Sequence, residues 1–304
     1  MKQIDTSVNL GPLQLKNPVT VASGTYGYGT AYDRYYPSST VGGIFLKGIT
    51  SSPRDGNPTP RICETPSGMI NSIGLQNIGI DHLEQESVQL QQLDTTVFAN
   101  ISGADEGDFA RLAFRASRIA GISALELNVS CPNLKGGGID FGRDPKMIAT
   151  ITNACVKESL LPVFVKLTPN VTDIVTVAAA AMNAGATGVS LVNTFQAMAI
   201  DIEKRIPKLK NVMGGLSGPA IRPIAVRMVW QVWRDLKCPI IGMGGIASSE
   251  DAIEFLMAGA SAVSIGTMNF VKPMIVPEVI NGICKWCEHH DVAAVAELIG
   301  AANK

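Results

Sequence analysis

The stretch Cys238–Met268 reads CPIIGMGGIASSEDAIEFLMAGASAVSIGTM and carries one complete strand–helix–strand pattern. Two short apolar runs, Cys238–Ile246 and Ala262–Met268, flank a segment with helical periodicity, Ser248–Ala258. A serine followed by acidic residues, as at Ser248, is typical of a helix N-terminus. Near-continuous apolar runs indicate parallel strands that are covered on both faces. The stretch therefore predicts a βαβ unit.

The same pattern recurs along the whole chain. Six further apolar runs are Pro18–Thr25, Val41–Thr50, Thr95–Gly103, Ala124–Cys131, Leu161–Pro169 and Gly188–Thr194. Helical periodicity lies between most of them, at Asp81–Leu93, Asp105–Gly121, Asp144–Leu160, Thr172–Ala184 and Pro219–Leu236. Eight strands alternating with helices predict an α/β fold, a (β/α)8 TIM barrel, as one domain over residues 1–304. An open doubly wound sheet is the alternative, although no GxGxxG motif follows the first strand.

Two connections are longer than a strand–helix unit needs. They imply insertions at about Ser51–Asn77 and Phe195–Ser217, and each follows the C-terminal end of a strand. Barrel enzymes build their active sites at that end. The first insertion is rich in Pro and Gly and contains short β-like pieces, which predicts a lid or a pocket wall.

Composition excludes several classes of protein. A chain of 304 residues with 46% hydrophobic and 17% charged residues is not disordered. A net charge of -1, from 25 basic and 26 acidic residues, argues against nucleic-acid binding. No apolar run reaches the roughly 18 residues of a membrane span, and the N-terminus has no apolar signal core, so we expect a soluble cytoplasmic protein.

The cysteines are scattered through a long chain and are expected to be reduced thiols. Cys284 and Cys287 form one CxxC pair in a helix-like segment. One such pair cannot complete a four-ligand zinc site, and we interpret it as structural, with no metal site in the chain.

Polar and reactive side chains follow the predicted strands at their C-terminal ends. They are Lys47, Asn100, Asn128 with Cys131, Lys166, and Asn193 with Thr194. Polar residues also mark the places where strands reach solvent, which is the alternative explanation. Because parallel strands of a barrel end at the same face, the set predicts one active site there.

Glycines after the last two predicted strands indicate a phosphate site. Gly244 and Gly245 lie in GMGGI, directly before the predicted helix, and Gly266 with Thr267 follows the eighth strand. Backbone N–H groups and a helix N-terminus converge on phosphate at this place in many barrels. The alternative is that these glycines only form turns. The expected ligand is a phosphorylated substrate or a nucleotide cofactor.

Cys131 lies in the segment NVSCPN, between two asparagines and before a proline. A loop at the mouth of the barrel would allow this thiol to act as a base or a nucleophile. Its ordinary pKa is about 8.5, so catalysis near neutrality requires surroundings that favour the thiolate, such as nearby lysines. The glycines Gly136–Gly138, which follow Cys131 in the sequence, suggest a mobile flap.

Several segments together resemble the dihydroorotate dehydrogenases. The segments are NVSCPN, FLKGIT, NSIGLQN at Asn71–Asn77, VKLTPN, VNT, GMGGI and SIGTM, and they occur in order over essentially the whole chain. A cysteine at position 131 and the lack of a long N-terminal extension resemble class 1. Within it, CPNLKGGGIDFG is more similar to class 1B, whose catalytic subunit pairs with an electron-transfer subunit. Class 1A, which uses fumarate, is the alternative.

The resemblance implies a barrel that holds FMN and oxidises (S)-dihydroorotate to orotate in pyrimidine biosynthesis. It implies that Cys131 removes the proton at C5 while hydride passes from C6 to the flavin. The implied substrate contacts are Lys47, Asn71, Ser72, Ile73, Gly74, Leu75, Asn128, Asn133, Asn193 and Thr194. The implied flavin contacts are Ser23, Lys47, Gly48, Asn100, Asn128, Lys166, Val192, Gly218, Gly244, Gly245, Gly266 and Thr267.

The resemblance to class 1B also implies a partner. The sequence has no dinucleotide fingerprint and no cysteine cluster suited to an iron–sulfur centre. We therefore expect FAD and a [2Fe–2S] cluster on a separate electron-transfer subunit, NAD⁺ as the final acceptor, and two chains of each kind in the assembly. Other readings are a Schiff-base aldolase using Lys166 or Lys47, a flavoprotein acting on dihydropyrimidines, and a barrel that serves as a scaffold or regulator.

Overall fold

The computed structural model describes residues 4–130 and 141–303, and eight parallel strands in it close into a barrel. In chain order the strands are β1 (Val19–Val21), β2 (Gly43–Phe45), β3 (Thr96–Ile101), β4 (Ala124–Asn128), β5 (Val163–Lys166), β6 (Gly188–Leu191), β7 (Ile240–Met243) and β8 (Ala262–Ile265). Each strand pairs with its neighbour in the chain, and β8 pairs with β1. The predicted (β/α)8 barrel is confirmed, and a doubly wound open sheet is excluded.

Helices cover the outside of the barrel. The α-helices are Ile80–Gln85, Ser87–Gln91, Glu106–Ala116, Pro145–Glu158, Ile174–Asn183, Arg222–Leu236, Ser249–Ala258, Met268–Val271 and Ile275–His289. Short 3-10 turns lie at Ser38–Thr40, Phe141–Arg143, Pro219–Ile221 and Val295–Leu298. The predicted helix Asp81–Leu93 is two short helices instead of one, because the chain turns at Glu86.

Side-chain caps explain where several helices begin. The Asp105 carboxylate accepts from the Asp108 amide at 2.8 Å, and the Ser248 hydroxyl accepts from the Asp251 amide at 3.3 Å. Such caps satisfy N–H groups that have no partner within the helix. Gly259 ends the helix Ser249–Ala258 with φ +122°, a conformation that glycine adopts readily.

Aromatic rings pack against one another in the interior of the barrel. Phe45 and Phe98 stack with their ring centroids 4.2 Å apart, and Phe164 meets Phe98 edge-on at 5.8 Å. Glycines make room for them, because a Cβ on Gly43 would stand 3.0 Å from the Phe98 ring and one on Gly188 would stand 2.9 Å from the Phe164 ring. This packed layer supports the polar end of the barrel above it.

The two predicted insertions meet in one antiparallel sheet. Its strands, in spatial order, are Phe195–Ala197, Gly214–Ser217, Gly68–Asn71 and Ile62–Thr65. The second insertion also carries a two-stranded hairpin of Ile200–Asp201 and Ile206–Pro207. Because both insertions follow the C-terminal ends of strands, the sheet stands as a wall beside that end of the barrel.

Segments at both ends of the chain complete the fold. Val8–Leu10 pairs with Leu13–Leu15 in a hairpin that the sequence analysis did not predict. A Cβ on Gly11 would meet the Thr187 side chain at 2.6 Å, so the hairpin lies at the N-terminal end of the barrel. Cys284 and Cys287 lie in the helix Ile275–His289 as free cysteines. Within residues 4–130 and 141–303, no helix is both long and apolar enough to span a membrane.

Candidate active site

A cavity of about 660 Å³ opens at the C-terminal end of the barrel strands. Binding sites for small molecules commonly have volumes of 300–1,000 Å³. The cavity is lined by every predicted contact residue that the structure describes, namely Ser23, Lys47, Gly48, Asn71, Ser72, Ile73, Gly74, Leu75, Asn100, Asn128, Lys166, Val192, Asn193, Thr194, Gly218, Gly244, Gly245, Gly266 and Thr267. Cys131 and Asn133 lie outside the described residues. Ser130, which precedes Cys131 in the sequence, lines the cavity.

Two lysines face this cavity from different strands. Lys166 ends β5, opposite Asn128 of β4 in the strand register, and only 7% of its surface is exposed. Lys47 follows β2 and is half-buried. Burial, and secondly the nearby charge of Arg61, hold the pKa of Lys47 below its ordinary value. The cavity therefore offers fixed positive charge that an anionic ligand can neutralise.

Asparagine side chains form a hydrogen-bonded row along one wall. The Asn193 amide donates from Nδ2 to Oδ1 of Asn128 at 3.5 Å and accepts from the Thr194 N–H at 2.8 Å. Asn170 donates to the Thr194 carbonyl at 3.0 Å and accepts from the Gln196 N–H at 2.9 Å. Amide groups carry both donors and acceptors, which suits a ligand with amide edges. Asn170 is the last residue of the segment VKLTPN, and the sequence analysis does not predict that it belongs to the site.

The segment 71–75 is held in place by a residue that the sequence analysis missed. Asn57 donates its backbone N–H to the Ile73 carbonyl at 2.8 Å and its side-chain amide to the Ser72 carbonyl at 2.9 Å. The Arg61 carbonyl accepts from the Ser72 N–H at 2.8 Å. Asn57 also lines the cavity. Its position in a Pro-rich and Gly-rich stretch offered only a turn signal.

Glycines form one corner of the cavity. Gly218, Gly244 and Gly245 have φ angles of +98°, +123° and +90°, which L side chains rarely adopt. A Cβ on Gly245 would lie 2.9 Å from the Gly218 carbonyl oxygen and 2.8 Å from the Arg222 Cβ. Within the described chain, the N–H groups of Gly244, Gly245 and Gly266 donate to no protein acceptor. Free N–H groups in such a corner suit an anion.

A buried pair lies in the polar layer of the barrel. Asn100 donates from Nδ2 to Oε2 of Glu126 at 2.5 Å, and both residues are fully buried. Asn100 Oδ1 is buried and has no hydrogen-bond partner in the ranges that the structure covers. Glu126 was not predicted to belong to the site, since one acidic residue in ALELN gives no functional signal.

The described residues contain no cluster of metal ligands, and two of their thiols are deeply buried. No group of three or more His, Cys, Asp or Glu side chains in the two described ranges could hold a metal ion. Burial raises the pKa of Cys155 to about 12 and that of Cys238 to about 11, so both thiols are protonated near neutral pH.

Comparisons with known proteins agree with this architecture. Residues 6–286 match the family model for dihydroorotate dehydrogenase. A relative from Desulforamulus reducens, named dihydroorotate dehydrogenase B (NAD(+)), catalytic subunit, is 50% identical over 302 residues, which is 99% of this chain and 99% of the relative. A relative of the same name from Pelobacter propionicus is 49% identical over 298 residues, 98% of each chain.

A solved structure shares the fold. The crystal structure of DHODH from Eimeria tenella in complex with ferulenol superposes with a TM-score of 0.83, covering 99% of this chain and 89% of that one. Sequence identity is 24%, so this likeness speaks for the barrel architecture alone.

Proposed function

The chain belongs to the dihydroorotate dehydrogenase family, and on this premise we propose that it oxidises (S)-dihydroorotate to orotate in pyrimidine biosynthesis. The observation that carries the proposal is the single cavity lined by the lysines, asparagines and glycines at the strand ends. We propose that the electrons pass through a partner subunit to NAD⁺, since the curated relatives are named NAD(+) enzymes and catalytic subunits.

FMN is the cofactor that we propose for the cavity, and the described residues fit it. The buried, unpartnered oxygen of Asn100 requires a donor, which a flavin ring has. The glycine corner offers free N–H groups to a phosphate. When bound, FMN supplies the acceptor for the hydride that leaves C6 of the substrate. The proposed ring contacts are Ser23, Lys47, Gly48, Asn100, Asn128, Lys166 and Val192, and the proposed phosphate contacts are Gly218, Gly244, Gly245, Gly266 and Thr267.

The remaining polar side chains suit the substrate. Dihydroorotate is a cyclic diamide with a carboxylate, so its edges both donate and accept hydrogen bonds. We propose that Lys47 pairs with the carboxylate while amide side chains bind the diamide edge. The proposed contacts are Lys47, Asn71 to Leu75, Asn128, Asn133, Asn193 and Thr194.

Cys131 is the general base in this proposal, on the strength of the family resemblance. Its thiolate takes the proton from C5, the hydride leaves C6, and the two electrons of the C5–H bond form the C5=C6 double bond. The Lys166 ammonium, which is fixed by burial at the end of β5, stabilises negative charge that develops in the cavity. The thiol then returns its proton to solvent.

The partner that we propose carries FAD and a [2Fe–2S] cluster, in an assembly of two catalytic and two electron-transfer chains. Electrons from the barrel cavity reach NAD⁺ by way of these groups. Class 1A chemistry, with fumarate as the acceptor, is the alternative that an acceptor assay separates from this proposal.

One spectroscopic experiment tests the activity. The purified chain is expected to show flavin absorption bands, and anaerobic addition of dihydroorotate is expected to bleach them. A colourless protein that does not bind added FMN contradicts the proposed cofactor. A yellow protein that stays oxidised with dihydroorotate contradicts the proposed substrate. Fumarate reduction by the isolated chain contradicts the proposal that NAD⁺ is the acceptor. Robust NAD⁺ reduction by the isolated chain contradicts the proposal that a partner subunit is required.

A further inference from the structure

Glu126 is a buried carboxylate that no step of the proposed reaction uses. It belongs to β4 and is fully buried, and its Oε2 accepts from Asn100 at 2.5 Å. Its Oε1 has no hydrogen-bond partner in the described part of the chain. Asn100 lines the cavity, and Glu126 is its register partner on the neighbouring strand β4.

Packing alone gives no reason for a glutamate at this position. Burying a carboxylate that makes one hydrogen bond costs more than burying an apolar side chain of similar size. Phe164 is the register partner of Glu126 on β5, and its ring meets Phe98, so an apolar side chain would suit the interior at this level. A reason for a glutamate at this position is therefore its hydrogen bond to Asn100.

A carboxylate decides how the Asn100 amide is oriented. The carboxyl group accepts through Oε2 and has no N–H group, so the amide turns its NH₂ toward Glu126. The carbonyl oxygen then lies on the other side, beside Gly48. A Cβ on Gly48 would stand 2.8 Å from Oδ1, so the missing side chain lets this buried oxygen lie directly beside Gly48. Gly48 lines the cavity as Asn100 does.

We propose that Glu126 is a positioning residue, which fixes the Asn100 carbonyl oxygen as an acceptor and so selects an N–H donor on the bound flavin ring. The inference rests on the proposed function, because it requires that the chain binds FMN. The oxidised isoalloxazine ring has one N–H group, at N3, and its other polar ring atoms are acceptors. Without Glu126 the Asn100 amide can rotate and present NH₂, which repels the N3 proton.

The test uses the protein loaded with FMN that is ¹⁵N-labelled at N3. In the wild-type protein we expect a well-resolved N3–H resonance whose proton exchanges with water at least 10-fold more slowly than in free FMN. In Glu126→Leu we expect exchange to accelerate about 10-fold, the N3 resonance to shift, and the Kd for FMN to rise about 10-fold, as for loss of one buried hydrogen bond. Glu126→Gln keeps the shape of the side chain but adds an NH₂ group that can bond to Asn100 Oδ1, so we expect its exchange rate and its Kd for FMN to lie between those of the wild type and Glu126→Leu.

Other outcomes overturn the inference. A Glu126→Leu protein with weaker FMN binding but an unchanged N3 resonance shows that Glu126 is merely structural. A Glu126→Gln protein with the wild-type exchange rate and the wild-type Kd for FMN shows that the lack of an N–H group at this position is not what fixes Asn100. If Glu126→Leu does not fold, by near-UV circular dichroism, fast N3–H exchange in the wild-type protein still overturns the inference. Failure to bind FMN at all overturns the proposed function instead.

Discussion

The guanidinium of Arg222 forms an ion pair with the carboxylate of Asp251 beside the glycine corner of the cavity. Asp251 also accepts from the Ala247 N–H at 2.8 Å, so it holds the loop after β7. Arg222 begins the helix that follows Gly218, and its Cβ would meet a Cβ on Gly245 at 2.8 Å. The pair therefore joins the two segments that carry the proposed phosphate contacts.

Breaking this pair is expected to weaken FMN binding more than riboflavin binding. Arg222→Met leaves the buried Asp251 carboxylate without its cation, near the place proposed for the phosphate. The free energy of unfolding is expected to fall by more than the ~1 kcal/mol of an exposed pair and by less than the 3–5 kcal/mol of a fully buried one, because Arg222 is partly exposed. Titration of the apoprotein with FMN and with riboflavin, which has no phosphate, measures the discrimination.

A second substitution serves as the control. Asp251→Asn keeps an acceptor for Ala247 and removes the unpaired charge, so Arg222→Met with Asp251→Asn is expected to recover most of the lost FMN affinity. If Arg222→Met loses affinity for FMN and for riboflavin equally, the ion pair does not contribute to the proposed phosphate site.

Cys131→Ala is expected to reduce kcat for dihydroorotate oxidation by at least ~10²-fold, the lower end for a positioned general base. FMN binding is expected to persist, because the proposed flavin contacts lie on other residues. The rate of anaerobic bleaching in a stopped-flow instrument measures the loss, and Cys238→Ala, at a buried thiol with a pKa of about 11, is the matched control. A Cys131→Ala protein that bleaches at the wild-type rate rules out the thiol as the base.

Orotate binding is expected to weaken as the pH rises through the pKa of Lys47. Burial and the charge of Arg61 place that pKa below the value of free lysine. Below this pKa the ammonium pairs with the orotate carboxylate, and above it the pairing is lost. Fluorescence titrations with orotate across alkaline pH measure the effect, in a Cys131→Ala background so that the thiol does not contribute.

Lys47→Gln supplies the comparison for that titration. Lys47→Gln is expected to bind orotate weakly at every pH and to lack the fall in affinity that is assigned to Lys47. Any change in affinity that comes from the titration of orotate itself is expected in both proteins. An identical pH profile in the two proteins removes Lys47 from the carboxylate site.

Gly48→Ala is expected to lower FMN affinity about 10-fold. The new Cβ would stand 2.8 Å from Asn100 Oδ1, so the amide must shift and the buried acceptor loses its aligned donor. The Kd from apoprotein titration measures the change. Gly107→Ala, in the helix Glu106–Ala116, meets no atom closer than 3.4 Å and is expected to leave the Kd for FMN unchanged. A wild-type Kd in Gly48→Ala would show that Asn100 does not contact the flavin.

Local patterns in the sequence were enough to predict most of the cavity wall. Lys47, Asn100, Asn128, Lys166 and Asn193 each follow a strand, and the structure places all of them around one cavity. The prediction was possible because apolar runs define strands locally, and parallel strands of a barrel end at one face. Their roles in binding remain predictions.

Contacts between residues far apart in the chain could not be predicted from local patterns in the sequence. Asn71 donates to the Gly215 carbonyl at 3.4 Å across 144 residues, and Asn57 holds the segment that carries Ser72. The sequence predicted both insertions but not that they pair in one sheet. Glu126 was missed for the same reason, because its partner Asn100 lies on another strand.

The order of residues along the chain by itself determined the eightfold alternation of strands and helices, since apolar periodicity and helix caps act over a few neighbouring residues. Tertiary structure alone decided which way the Asn100 amide faces, which loops Arg222 and Asp251 join, and which residues support the segment 71–75. These features depend on hydrogen bonds and charges between residues far apart in the chain, which become neighbours only when the barrel closes.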